Sequence, residues 1–107
     1  MSHIYILNMQ DSFSQLDGFE WDNGNRDKNR LKHNVSCGEC EEVFFNEPLI
    51  ILEDHKHSET ELRYAAYGAT NEGRRLHVVF TVRETNYRII SARDMHRKER
   101  QFYDDQT

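Results

Sequence analysis

The sequence predicts an α+β chain: a small antiparallel β-sheet with helices packed on one face. Three observations carry this. Leu76–Arg83 and Arg88–Arg93 alternate apolar and polar residues and are joined by a short turn. The other strand-like runs follow one another through equally short connections, which favours antiparallel pairing. Short segments with helix-capping chemistry flank these strands.

In chain order, residues 1–16 read as an N-terminal extension of uncertain order, holding only the short apolar run Ile4-Tyr5-Ile6-Leu7. Residues 17–107 read as one domain. Phe19-Glu20-Trp21-Asp22 is a short first strand, and Asp22-Asn23-Gly24-Asn25 supplies turn residues. Arg26 to His33 is a charged helix anchored by Leu31. Asn34 suits a left-handed C-cap. Ser36 with Glu39 forms a capping box for a second helix, which runs through Cys40, Val43 and Phe44 and stops before Pro48. Leu49-Ile50-Ile51-Leu52 is a buried strand, followed by a polar connection from Glu53 to Ser58. Strands at 61–69, 75–83 and 87–93 come next, and a helix from about Asp94 to Tyr103 ends the chain.

Alternation also fixes faces. A three-residue turn at Asn71-Glu72-Gly73 pairs Thr70 with Arg74. A second, at Glu84-Thr85-Asn86, pairs Arg83 with Tyr87. Thr81 then opposes Ile89, Val79 opposes Ser91, and His77 opposes Arg93. Leu76, Val78, Phe80 and Val82 pack with Ile90 and Ala92, because a one-residue slip would drive Ser91 and Arg93 into the core. The opposite, polar face collects Arg63, Tyr67, His77, Thr81, Arg83, Ser91 and Arg93.

The 107-residue chain is long enough for one modest core, burying roughly two thirds of its unfolded surface. No apolar run approaches the ~18 residues of a membrane span, and the first residues lack the basic segment of a signal peptide, so a cytoplasmic protein is expected. The net charge of −5 is unevenly spread: residues 62–100 carry +5 and residues 1–61 carry −8. Either a basic working surface sits on an acidic body, or the arginines neutralise the acidic half.

Arginine on a sheet face suits phosphate, since its fork donates two parallel hydrogen bonds. Tyrosine offers a stacking surface, and histidine moves protons near neutral pH. Metal-free RNA cleavage fits this set. The substrate 2′-hydroxyl attacks the adjacent phosphate, arginines stabilise the charge that develops, and the products are a 2′,3′-cyclic phosphate and a 5′-hydroxyl. Arg63, Arg83 and Arg93 are the phosphate-stabilising candidates. His33, His77 and Lys32 are candidates for proton transfer or electrostatic help. Tyr67, His77, Arg88 and Arg97 are candidate RNA contacts. Cys37 and Cys40 read as ordinary buried residues. A zinc site with His33, or a redox pair, is the alternative. No metal or other cofactor is expected.

These segments resemble the BrnT toxins of bacterial type II toxin–antitoxin systems. The likeness spans about Gly18 to Tyr103. It rests on Phe19-Glu20-Trp21-Asp22, Lys32-His33-Asn34-Val35-Ser36, Glu41-Glu42-Val43-Phe44 before Pro48, and Asp54 with His57-Ser58. It continues through Glu61-x-Arg63, Gly68, Val78-Val79-Phe80-Thr81-x-Arg83, Arg88-Ile89-Ile90-Ser91-Ala92-Arg93, and Glu99-Arg100 with Tyr103. Asn34 stands where the family usually has glycine, and Cys37-Gly38-Glu39-Cys40 replaces an aromatic-acidic stretch. The resemblance implies a RelE-like toxin fold and an endoribonuclease that inhibits translation. Its substrate would be RNA, free or on the ribosome. A ribbon-helix-helix BrnA-type antitoxin would neutralise the toxin and contact operator DNA on its behalf. A homodimer, or a heterotetramer with the antitoxin, is implied, and no membrane partner. Lys32, His33, Arg63, Arg83 and Arg93 are the positions that match. The alternative is a catalytically inactive, toxin-like module that serves as antitoxin partner and co-repressor.

Overall fold

The computed structural model describes residues 4–6, 18–21, 33–54 and 61–106. Within them lie six strands and two helices: β1 Ile4–Ile6, β2 Gly18–Glu20, α1 Cys37–Val43, β3 Ile50–Glu53, β4 Tyr64–Ala69, β5 Arg75–Arg83, β6 Asn86–Asp94 and α2 Arg97–Asp105. The expected helix at 26–33 falls outside the described residues save for His33, as do Lys32 and His57.

The α+β class holds. The strands form one sheet in the order β1-β3-β4-β5-β6-β2. Every neighbouring pair is antiparallel except β2 with β6, which is parallel. The sheet is therefore mixed rather than purely antiparallel. Short connections argue for antiparallel pairing only between consecutive strands, and β2 and β6 are far apart in sequence. Phe19 holds β2 in place: its ring stacks on Tyr87 at 5.2 Å and lies 5.4 Å from Phe44. Ile4–Ile6, within the N-terminal extension, pairs with Ile50–Leu52 and forms the opposite edge.

Local chemistry sets α1. Asn34 adopts φ 53°, the left-handed conformation that asparagine tolerates. The Ser36 hydroxyl accepts from the Glu39 N–H at 3.1 Å, and the Glu39 carboxylate accepts from the Ser36 N–H at 3.1 Å, completing the capping box. Cys40 and Val43 point from α1 into the main core, with Val35, Phe44, Leu49, Ile51, Ala66, Leu76, Val78, Phe80, Ile89 and Ala92. A glycine is required where α1 crosses β4. A Cβ on Gly68 would stand 2.6 Å from Val43 Cγ1 and 3.2 Å from the Val43 carbonyl oxygen.

The β5–β6 hairpin departs from expectation at its tip. Its turn has two residues, Glu84 and Thr85, so Arg83 pairs with Asn86 and Thr81 with Arg88. Glu84 adopts φ 56°, a conformation that the sequence does not signal because glutamate seldom occupies it. A β-bulge between Phe80 and Val79 then absorbs Ile90 and restores the expected pairs, Val79 with Ser91 and His77 with Arg93. Ile89, not Ile90, fills the core, and Arg88 joins the opposite face.

The helices also lie on both faces rather than one. Tyr103 of α2 clusters with Ile50 and Met95, bordered by Leu52, Tyr67 and Phe102. The Tyr103 hydroxyl donates to the Pro48 carbonyl at 2.6 Å. Ile50 shares a face with Tyr67 and His77. The C-terminal helix thus covers one end of the face opposite α1.

Candidate functional site

Pairing across four strands lays two rows on this second face. Ile50, Tyr67, His77 and Arg93 form one, and Leu52, Ala65, Val79 and Ser91 the other. Successive same-face rows are ~6.6 Å apart along a strand. The second row is low, because Ala65, Val79 and Ser91 have short side chains. The result is a cavity of about 430 Å³, lined by the residues of both rows except Ile50, and by Glu53, Asp54 and Arg63. That volume falls within the usual range for small-ligand sites.

The cavity gathers Arg63, Tyr67, His77 and Arg93 from the candidates named above. Arg83 stands at the hairpin end, half exposed, with its guanidinium 3.7 Å from the Glu61 carboxylate. Arg88 lies on the same face opposite Thr81 but does not line the cavity. Arg97 is exposed at the start of α2. His33 belongs to the other side of the sheet. There its carbonyl accepts from Arg74, which also binds the Asn34 carbonyl, Glu39 and Asp94. Arginine neutralisation of acidic residues therefore accounts for Arg74, as it does for Arg75, paired with Asp104 at 2.7 Å.

Electrostatics sharpen the cavity. Burial, and then the Arg93 charge, lower the His77 imidazole to about 4, so its ring is neutral at pH 7 and can accept a proton. The Tyr67 ring meets it edge-on at 5.1 Å. Burial, and then Glu99, raise the Tyr67 hydroxyl, which stays protonated as a donor. Arg93 forms a two-point pair with Glu99: Nη1 to Oε1 at 2.8 Å and Nη2 to Oε2 at 3.1 Å. Burial acts to raise the Glu99 carboxyl, but hydrogen bonds from Arg93 and the His96 N–H outweigh it and hold it at about 2. One further oddity lies on this face. Thr81 is fully buried and, among the described residues, its hydroxyl has no hydrogen-bond partner.

Sequence reasoning noted Glu99 only as part of the family likeness and did not assign it to the site, nor did it place the acidic wall of Glu53 and Asp54 in this cavity. The Asp54 N–H donates to the Arg63 carbonyl at 2.8 Å, so β3 and β4 stay paired up to the cavity rim. The signal for Glu99 was its capping-box position three residues after His96. Among the described residues, no three His, Cys, Asp or Glu side chains come together as a metal cage. Cys40 is buried, which pushes its thiol up to about 12. No described helix is long and apolar enough to cross a membrane.

A family model described as "Ribonuclease toxin, BrnT, of type II toxin-antitoxin system" matches residues 21–99, most of the chain and all of the cavity-lining residues. No curated protein sequence matches.

Proposed function

Given that the chain belongs to the BrnT family of ribonuclease toxins from type II toxin–antitoxin systems, we propose that its second sheet face cleaves RNA without a metal and so inhibits translation. The observation that supports this is the cavity itself. It sets two arginines, a neutral histidine and a protonated tyrosine around a floor of small side chains.

His77 takes the proton of the substrate 2′-hydroxyl. The freed oxygen forms a bond to the adjacent phosphorus while the bond to the 5′-oxygen breaks, and that oxygen takes up a proton from solvent water, leaving a 2′,3′-cyclic phosphate and a 5′-hydroxyl. Arg63 and Arg93 stabilise the oxygens that gain charge, which is usually the largest contribution in such reactions. Tyr67 offers its ring to a base. Arg83, at the hairpin end, extends the track along which RNA lies, so its loss weakens binding more than turnover. A ribbon-helix-helix antitoxin of the BrnA type neutralises the toxin.

The test is growth after induction of this chain without an antitoxin. The parent should arrest growth, and Arg63→Ala, expressed to the same level, should not. Arrest by both places the chemistry elsewhere. Arrest by neither favours a non-catalytic module that serves only as antitoxin partner.

A further inference from the structure

The hydrogen bonds of Arg93, at the edge of the cavity, are unsymmetrical. A guanidinium carries five N–H donors in two usable forks. The outer fork, Nη1 and Nη2, is taken by Glu99, and Nη1 also donates to the Asp94 carbonyl at 3.0 Å. Glu99 is itself fixed, since its Oε1 accepts from the His96 N–H at 2.7 Å. The side fork, Nε–H and the remaining Nη2–H, donates to none of the described residues. Arg93 lines the cavity. Both partners keep only about a quarter of their side-chain surface in contact with solvent.

We propose that Glu99 is a positioning residue: it locks the outer fork of Arg93 so that the side fork is presented to a phosphate in the cavity. This rests on the cavity being the RNA-cleaving site. Two hydrogen bonds to a fixed carboxylate stop rotation of the guanidinium and set its plane, a preorganisation that solvent cannot supply. Glu99 also neutralises part of the charge that Arg93 places beside His77.

The substitution that isolates this role is Glu99→Gln, which keeps the size and removes the charge and one acceptor. Removing a carboxylate near the cavity does not weaken anion binding, so KM should stay level or fall. Misorientation of Arg93 should lower kcat by about 10- to 100-fold, the usual scale for a misplaced catalytic group. In an Arg93→Gln background the same substitution should cost nothing further, because Glu99 acts through Arg93. Circular dichroism normalises each rate to folded protein. A parental kcat in Glu99→Gln, a raised KM, or additive losses in the double variant would overturn the proposal.

A second arm needs no RNA. In the parent, nitrogen-15 NMR should resolve separate Nη–H signals for Arg93, as two-point pairing halts rotation, and Glu99→Gln should collapse them. Resolved signals in the variant would overturn the proposal whatever the activity. Collapsed signals in Glu99→Gln together with a parent that does not cleave RNA would leave the positioning role standing and sink the functional reading instead.

Discussion

Acidification should strip stability from this fold through His77. In the folded chain its imidazole is held at about 4, by burial first and the Arg93 charge second, against 6.5 for an ordinary histidine. Between those values the unfolded chain takes up a proton that the folded chain refuses. The stability is therefore complete above about 6.5 and is lost as the pH falls towards 4. Linkage gives a loss of about 2 kcal/mol by pH 5. For a domain of this size that corresponds to a Tm lower by roughly 8 °C. Glu99 has the same sign in a lower window. Its carboxyl is depressed from 4.5 to about 2, so its contribution is full above 4.5 and fades below, outside the range between pH 5 and 7. Thermal melts at pH 7, 6 and 5 on the parent and on His77→Gln separate the two. The parent Tm should fall over this range and that of the variant should stay nearly level. A variant that keeps the full fall, or a parent with none, would show that His77 does not carry the acid sensitivity.

Three further substitutions probe the frame around the site. Thr81→Val removes a buried, unpartnered hydroxyl and should stabilise the fold by about 1–2 kcal/mol in urea unfolding; a loss of stability would mean that the hydroxyl has a partner. Gly68→Ala forces a methyl group to within 2.6 Å of Val43 and should cost about 1–3 kcal/mol by the same measurement, part of it recovered by pairing it with Val43→Ala. Arg74→Ala cuts the ties from β5 to Glu39, Asp94 and the 33–34 carbonyls. It should cost about 1–3 kcal/mol, yet leave RNA cleavage per folded molecule unchanged, because this cluster lies across the sheet from the cavity.

Much of this was legible in the sequence. Ser36 and Glu39 announce α1, Asn34 its left-handed approach, and alternation along 76–83 and 88–93 pairs His77 with Arg93. The same alternation places Arg63, Tyr67 and Ser91 on that face. The hairpin tip was hidden, since Glu84 takes a conformation that glutamate seldom adopts and a bulge at Ile90 restores the register only after four pairs. The position of α2 left a trace that could have been read. Leu49-Ile50-Ile51-Leu52 is apolar without alternation, the mark of a strand covered on both faces. With α2 on the second face, Glu99 comes within reach of Arg93, and what alternation alone shows as an open arginine becomes half of an ion pair. The parallel pairing of β2 was not readable, because it depends on Phe19 finding Tyr87 and Phe44 across the fold.

Whether the second sheet face cleaves RNA is read from the chemistry of RNA ends in cells that express this chain alone. The 3′ ends of total RNA would be mapped after induction of the parent and of Arg63→Ala at equal levels. New 2′,3′-cyclic phosphate ends should appear with the parent and be absent with the variant. Equal ends in both, or new ends carrying a 3′-hydroxyl, would contradict cleavage by this face.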